Sequence, residues 1–218
     1  MSGRIAFFDL DLTVLACNSA TLWVKRELRL GHVTRTEALR AAWWLGLYQL
    51  GLGDLDTAIR VAISSLKGSP EDEIRARTLA FWHEEVAHHV RPGAIDALAR
   101  HRAAGDRLAF LTGSSTYLSG AALDALSLDD TLCTRFQVRD GLFTGEPDGT
   151  ICYGAGKLVH AEALAAAHGT TLDQCAFYTD SYSDLPVLEA VGEPVAVHPD
   201  PRLLRAAQRR GWRVERWS

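Results

Sequence analysis

Short, unbroken apolar runs that each stop on oxygen-bearing side chains are what most constrains the fold of this chain. Arg4-Ile5-Ala6-Phe7-Phe8 meets Asp9-Leu10-Asp11-Leu12-Thr13, and Arg107-Leu108-Ala109-Phe110-Leu111 meets Thr112-Gly113-Ser114-Ser115. Cys175-Ala176-Phe177-Tyr178 meets Thr179-Asp180-Ser181-Tyr182-Ser183-Asp184. Runs of this length, rich in Phe and Ile, mark strands covered on both faces. In open parallel sheets a ligand site lies just beyond the carboxyl ends of such strands. Carboxylates and a hydroxyl therefore stand where a site belongs, which favours an enzyme over a scaffold.

Between these runs the pattern is helical. From Ser19 to His89 apolar residues recur at helical spacing, as in Leu39, Trp43, Leu47 and Leu50, and again in Ile59, Ile63 and Leu66. Gly51-Leu52-Gly53-Asp54 and Lys67-Gly68-Ser69-Pro70 separate these stretches, and the segment reads as about four helices with no strand. After Arg91-Pro92-Gly93 strands and helices alternate: helix 94–104, strand 108–111, helix 118–126, a hairpin around 140–145, helix 156–168 and strand 176–178. Helix 185–190, strand 194–197, helix 201–210 and strand 212–214 complete the series. Alternation of this kind predicts an α/β fold, a parallel sheet flanked by helices with right-handed crossovers. Residues 1–17 and 90–218 would form this core, and 18–89 an inserted helical unit hanging over the sheet's carboxyl edge. Arg91-Pro92-Gly93 and the loop near 17–20 are the expected hinges.

The bulk chemistry narrows the partners. The chain has 218 residues, 47% of them hydrophobic, and a formal net charge of −4, so neither nucleic acid nor an acidic membrane is called for. Cys17, Cys133, Cys152 and Cys175 are scattered without a CxxC pair and read as free thiols in a reducing compartment. The first apolar run is too short for a signal peptide or a membrane span, so the expected location is the cytoplasm. His83-Glu84-Glu85-Val86-Ala87-His88 does not make a zinc-protease motif, because the second histidine would have to occupy the position of Ala87. Arg202, Arg205, Arg209, Arg210, Arg213 and Arg216 read as a solvated face, and Trp43 and Trp44 as packing within the helical unit.

Asp9, Asp11, Asp180 and Asp184, with Lys157 between them, carry the chemistry. Several carboxylates in one cleft repel and need a cation to stay ionised together. Hard oxygen ligands of this type favour Mg²⁺, which takes one or two carboxylates and keeps waters. A carboxylate can also act as a nucleophile and form an aspartyl-phosphate, with a second carboxyl close by as acid and base.

FDLDLT at Asp9 and Asp11, LTGS at Thr112, GAGK at Lys157 and TDSYSD at Asp180 and Asp184 together resemble, in order, the four motifs of the haloacid dehalogenase superfamily. The resemblance spans the whole chain and is nearest to the phosphoserine-phosphatase-like branch with a helical cap. It implies a Rossmann-like core, and a Mg²⁺-dependent phosphatase of small phosphomonoesters as the activity. It implies that Asp9 is the nucleophile, and that Asp11 protonates the leaving oxygen and then activates water. Thr112, Gly113 and Ser114 would hold phosphoryl oxygens together with Lys157, which offsets their charge. Asp180 would bind Mg²⁺ with the Asp9 side chain and the Asp11 carbonyl, and Asp184 would bind through water or orient Lys157.

For the substrate, the resemblance points to Asn18 and Arg60. Asn18 stands where phosphoserine phosphatases have a Glu that reads an ammonium group, and an Asn cannot supply that charge. Arg60 resembles the cap arginine that holds a carboxylate. Phosphoserine and histidinol phosphate are candidate substrates, and the protein is expected to be a monomer or homodimer. The rival readings are a phosphotransferase or mutase using the same nucleophile, and a non-catalytic phosphate-binding regulatory module.

Overall fold

A computed structural model of the protein describes residues 3–34, 36 and 55–217. Leu39, Trp43, Trp44, Leu47 and Leu50 lie outside the described residues. The chain order is β1 (Ile5–Phe8), α1 (Ser19–Leu30), α2 (Leu55–Ser64), α3 (Glu71–Phe81), α4 (Pro92–Ala104), β2 (Arg107–Ser115) and α5 (Thr116–Leu126). There follow β3 (Asp130–Thr134), β4 (Phe136–Arg139), β5 (Leu142–Pro147), α6 (Ala155–Ala167), β6 (Ala176–Thr179), α7 (Leu185–Ala190), β7 (Glu193–Val197), α8 (Pro201–Arg210) and β8 (Arg213–Glu215).

Six strands form one parallel sheet in the order β3-β2-β1-β6-β7-β8. The chain winds outward from β1 in one direction through β2 and β3, then returns to build β6, β7 and β8 on the other side. The reversal falls between β1 and β6, and a crevice opens at the carboxyl ends of strands at such a switch point. Asp9 follows β1 and Asp180 follows β6.

Neighbouring residues of each strand feed opposite layers, which is why the runs are apolar without alternation. Phe8, Phe110 and Tyr178 pack with Ala94, Ala97 and Leu98 of α4 and Leu118 and Ala122 of α5. Phe7, Leu111 and Phe177 pack on the other face with Ala161 of α6, Leu188 of α7 and Leu203 of α8. Phe8 stacks on Tyr178 with ring centroids 4.7 Å apart and planes 5° from parallel. The Tyr178 hydroxyl lies 2.8 Å from His101 Nε2, whose Nδ1 lies 2.7 Å from Asp106 Oδ2. That buried polar chain is satisfied at each link, so it fixes the ring positions around Phe8 instead of destabilising them.

Two strands differ from the sequence expectation. β3 is absent from the sequence expectation, because its Asp-Thr-Leu-Cys-Thr holds only two apolar residues between polar ones and lies at the sheet edge beside β2. β2 runs beyond Leu111 to Ser115, so Thr112, Gly113 and Ser114 continue the strand instead of leaving it.

The helical segment between β1 and α4 joins the core at a neck. Ala16 N donates to His89 O at 2.8 Å and Arg91 N to Val14 O at 2.9 Å, so the two chain crossings pair antiparallel. Further out, the link between α2 and α3 pairs with the β4–β5 hairpin, through Gly68 N to Phe143 O at 2.8 Å and Glu71 N to Gly141 O at 2.9 Å. Arg26 of α1 bonds Glu84 and Glu85 at 2.7 and 2.6 Å, and Arg77 of α3 pairs with the buried Glu27. The hairpin follows β3, so the described part of this segment meets the core at the sheet's carboxyl edge.

Replacing Phe8 removes the ring that packs against both His101 and Tyr178. Phe8→Ala is expected to lower unfolding free energy by about 3–5 kcal/mol, read from urea unfolding. A loss below about 1 kcal/mol would mean that this layer repacks freely.

Candidate active site

The loop after β1 is a single wide turn. Val14 N reaches back to Asp9 O at 3.4 Å and Leu15 N to Leu10 O at 2.8 Å. Inside it Leu12 holds φ +59°, a left-handed conformation that is unfavourable for a branched side chain. Backbone strain of this kind concentrates beside functional groups. It lies here between Asp11 and Thr13.

Lys157, in the first turn of α6, is 3% exposed and closes the site. Its Nζ donates to Asp9 Oδ1 at 2.8 Å and to Asp184 Oδ2 at 2.7 Å. The Thr179 hydroxyl donates to the same Asp184 oxygen at 2.6 Å. The Thr13 hydroxyl lies 3.4 Å from Asp9 Oδ2 and 3.3 Å from Asp180 Oδ1, and accepts from Asp180 N at 3.0 Å. Its one proton serves one carboxylate at a time.

Asp9, Asp180, Asp184 and Lys157 therefore converge although their positions in sequence lie far apart. Asp11 sits beside them with its own partners. Ser19 N donates to Oδ1 at 2.6 Å, and the Ser19 and Ser114 hydroxyls donate to Oδ2 at 2.9 and 3.1 Å. Ser114 thus ties the end of β2 to the β1 loop. Thr112 is buried, and its Oγ accepts from Ser114 N at 3.2 Å. Asn18 uses its side-chain oxygen to cap α1, accepting from Thr21 N at 2.9 Å and Thr21 Oγ at 3.0 Å. Arg60 lines a cleft of about 660 Å³ with Thr150, Tyr153 and Gly154, in the segment that leads into α6 and Lys157. Thr13, Thr179 and Ser19 were not singled out from the sequence. Thr13 and Thr179 belong to the quoted FDLDLT and TDSYSD runs, whereas Ser19 carried no signal.

Burial dominates the electrostatics. It pushes Asp9 up to about 6 against the pull of Lys157, with Asp184 adding to the rise. Burial likewise pushes Asp180 up to about 8, helped by the charges of Asp9 and Asp184. Asp11 is raised by burial, with the Ser19 and Ser114 hydrogen bonds opposing. Burial alone would lower Lys157, but Asp184 and Asp9 outweigh it and the ammonium is held charged. One lysine faces three carboxylates, and Asp184 Oδ1 is buried without a hydrogen-bond partner. Among the described residues no group of three acidic, histidine or cysteine side chains forms a metal cage unaided. The donor set fits a hard cation that keeps water ligands, Mg²⁺ above all.

A family model for haloacid dehalogenase-like hydrolases matches residues 6–189. The chain belongs to the haloacid dehalogenase-like hydrolase family. Relatives of this hydrolase include a probable phosphatase of Mycobacterium tuberculosis, 33% identical over 216 residues, covering 98% of this chain and 75% of the relative. A histidinol-phosphatase of Neisseria meningitidis is 29% identical over 217 residues, covering 97% of each chain. Among solved structures, a protein of unknown function from Bordetella pertussis Tohama I superposes with a TM-score of 0.88, at 31% identity and covering 97% of each chain. This haloacid dehalogenase-like hydrolase is an enzyme of the phosphatase type.

Two outcomes are expected of the hydrolase. A Cβ at Gly156 would lie 2.1 Å from the Ile151 carbonyl oxygen, so Gly156→Ala forces the first turn of α6, with Lys157, to move against the 150–154 segment. Turnover should fall by about tenfold or more, since small misplacements of reacting groups cost that much; unchanged turnover would show that Lys157 tolerates the shift. Asp9 and Asp180 titrate higher in the folded chain than in the unfolded one. In EDTA their contribution to stability is complete below about pH 4 and is lost as pH rises through about 6 and 8. Melting temperature in EDTA should fall across that window, and a flat or rising profile would contradict it.

Proposed function

We propose that the protein is a Mg²⁺-dependent phosphatase of small phosphomonoesters, with Asp9 as the nucleophile. The observation that carries this reading is the buried lysine bonded to both Asp9 and Asp184 at the switch point of the sheet. Lys157 holds Asp9 by one oxygen and keeps it ionised, and it stands ready to offset negative charge on an incoming phosphoryl group. Asp9 attacks phosphorus and the ester oxygen leaves with a proton from Asp11, giving an aspartyl-phosphate and the free alcohol. Asp11 then takes a proton from water as that water attacks phosphorus, which releases phosphate and regenerates Asp9. Burial raises Asp11 and suits it to holding that proton. To act, its Oδ2 exchanges a serine hydroxyl for the leaving oxygen, and both hydroxyls are free to rotate.

Thr112, Gly113 and Ser114 at the end of β2 are the proposed phosphoryl contacts. Asp9, Asp180 and the Asp11 carbonyl are the residues that would hold Mg²⁺, with Asp184 acting through water or through Lys157. The ion supplies positive charge that lets three carboxylates and a phosphate share one cleft. Residues 18–89 are the proposed cap over a core of 1–17 and 90–218, opening to admit substrate and excluding water when closed. Arg60, which lines the cleft beside Thr150 and Tyr153, is the proposed contact for an anionic substituent of the substrate. Asn18 gives its oxygen to the α1 cap, so a substrate ammonium finds no carboxylate at that position. Phosphoserine and histidinol phosphate are the first esters to assay, the latter supported by the name of the Neisseria relative. No helix among the described residues is long and apolar enough to cross a membrane, and a cytoplasmic location is part of the proposal.

Phosphate release is to be measured across phosphorylated amino acids, amino alcohols and sugars, with Mg²⁺ or EDTA. Asp9→Asn should reduce metal-dependent release by about 10³-fold or more, and full activity in that variant would remove Asp9 as nucleophile. Asp11→Asn should slow esters with poor leaving groups by about 10²–10⁴-fold and those with good leaving groups far less. Equal slowing of both would exclude Asp11 as the acid. Phosphorylation of a second alcohol in place of phosphate release would establish transfer instead.

A further inference from the structure

Asp200 touches none of the groups that carry charge at the site, yet it holds the loop on which two of them ride. It lies between β7 and α8, where the chain turns sharply after His198, which sits at φ +43°. Its backbone N donates to Asp180 O at 2.8 Å. Its Oδ2 accepts from Tyr182 N at 2.6 Å, while Oδ1 accepts from Arg202 N at 2.7 Å and Leu203 N at 2.9 Å. One carboxylate thus caps α8 and at the same time holds the loop of Asp180, Ser181 and Tyr182. The Arg202 guanidinium lies over the Tyr182 ring at 4.3 Å and presses the same loop from α8.

The 180–184 loop needs an external hold because its inner face bears like charges. Asp180 and Asp184 repel each other and Asp9, and the bonds that oppose this on the site side come from Lys157, Thr13 and Thr179. A charge-assisted bond from Tyr182 N to Asp200, next to the bond from Asp200 N to Asp180 O, fixes the stretch of backbone that carries the Asp180 carboxylate. We infer that Asp200 is a positioning residue for the cation site, acting through the Asp180–Tyr182 backbone and not only as the cap of α8. The inference rests on the Mg²⁺ reading of the site. Residues that orient metal ligands from behind contribute about 10–100-fold to metal affinity.

The two functions of Asp200 are separable. Asp200→Ser keeps an efficient helix cap but cannot reach Tyr182 N as well. Asp200→Asn also caps α8, and it places an amide donor where Oδ2 accepted. Mg²⁺ binding is to be measured by calorimetry on the full chain, alongside the melting temperature in EDTA and the Mg²⁺ concentration for half-maximal phosphate release. Both variants should bind Mg²⁺ about tenfold or more weakly, with EDTA melting temperatures near wild type and turnover recovered at high Mg²⁺. Affinity equal to wild type in both variants would overturn the inference and leave Asp200 a helix cap. If wild type itself bound no Mg²⁺, the metal reading would fail and this inference with it. If Asp200→Ser is poorly folded, Asp200→Asn reads the same quantity on the isosteric side chain.

Discussion

The contact on which the rest depends is the buried ammonium of Lys157 between Asp9 and Asp184. An ionised carboxylate in an apolar interior is strongly disfavoured unless it is paired and hydrogen-bonded. Asp9 follows a strand that is wholly buried, and Asp184 is itself fully buried. Without the lysine both would have to be protonated or exposed, and neither could serve in charge-driven chemistry. One lysine does not neutralise the cluster, and the remaining negative charge is what makes the cleft receptive to a cation.

The sheet explains how the groups meet. β1 is central, so Asp9 emerges with β2 on one side and β6 on the other. The end of β2 delivers Ser114 to Asp11, and the end of β6 delivers Asp180 and Thr179. The described part of the helical segment is not an appendage on a loose tether. Its neck is hydrogen-bonded across both crossings, and its α2–α3 link pairs with the β4–β5 hairpin. The same wide turn that presents Asp11 leads directly into that neck, so the placement of Asp11 and the seating of the helical segment share one stretch of backbone.

Most of the core was legible because doubly buried strands leave continuous apolar runs, and because each run ended on polar atoms that a core would not tolerate. Strand β3 was not, since Asp130, Thr131 and Thr134 break the apolar run and edge strands carry weak signals. The carboxylates and Lys157 could be singled out by residue type and motif order. Thr13, Thr179 and Ser19 could not be ranked, because a hydroxyl has the same sequence signature whether it caps a turn or bridges two carboxylates. Asp200 was hidden for the same reason: an Asp before Pro reads as a helix start, and its second partner, the Tyr182 amide, lies in another loop. The placement of Arg60 beside Thr150 and Tyr153 depends on how α2 meets the core, which no local pattern encodes.

The central place of β1 also bears on how the chain comes to its native state. Asp9 and Lys157 are separated by 148 positions, and Asp180 and Thr13 by 167. Contacts this distant require large loops to close before they contribute, which slows folding. On the ribosome the β1 strand and its acidic turn emerge long before the lysine that compensates them. Through most of synthesis those carboxylates stay in water, where their charge is harmless and where it opposes premature burial of the strand. Assembly of the cleft is therefore a late event in the biogenesis of the protein, coupled to the docking of the second half of the sheet against the first.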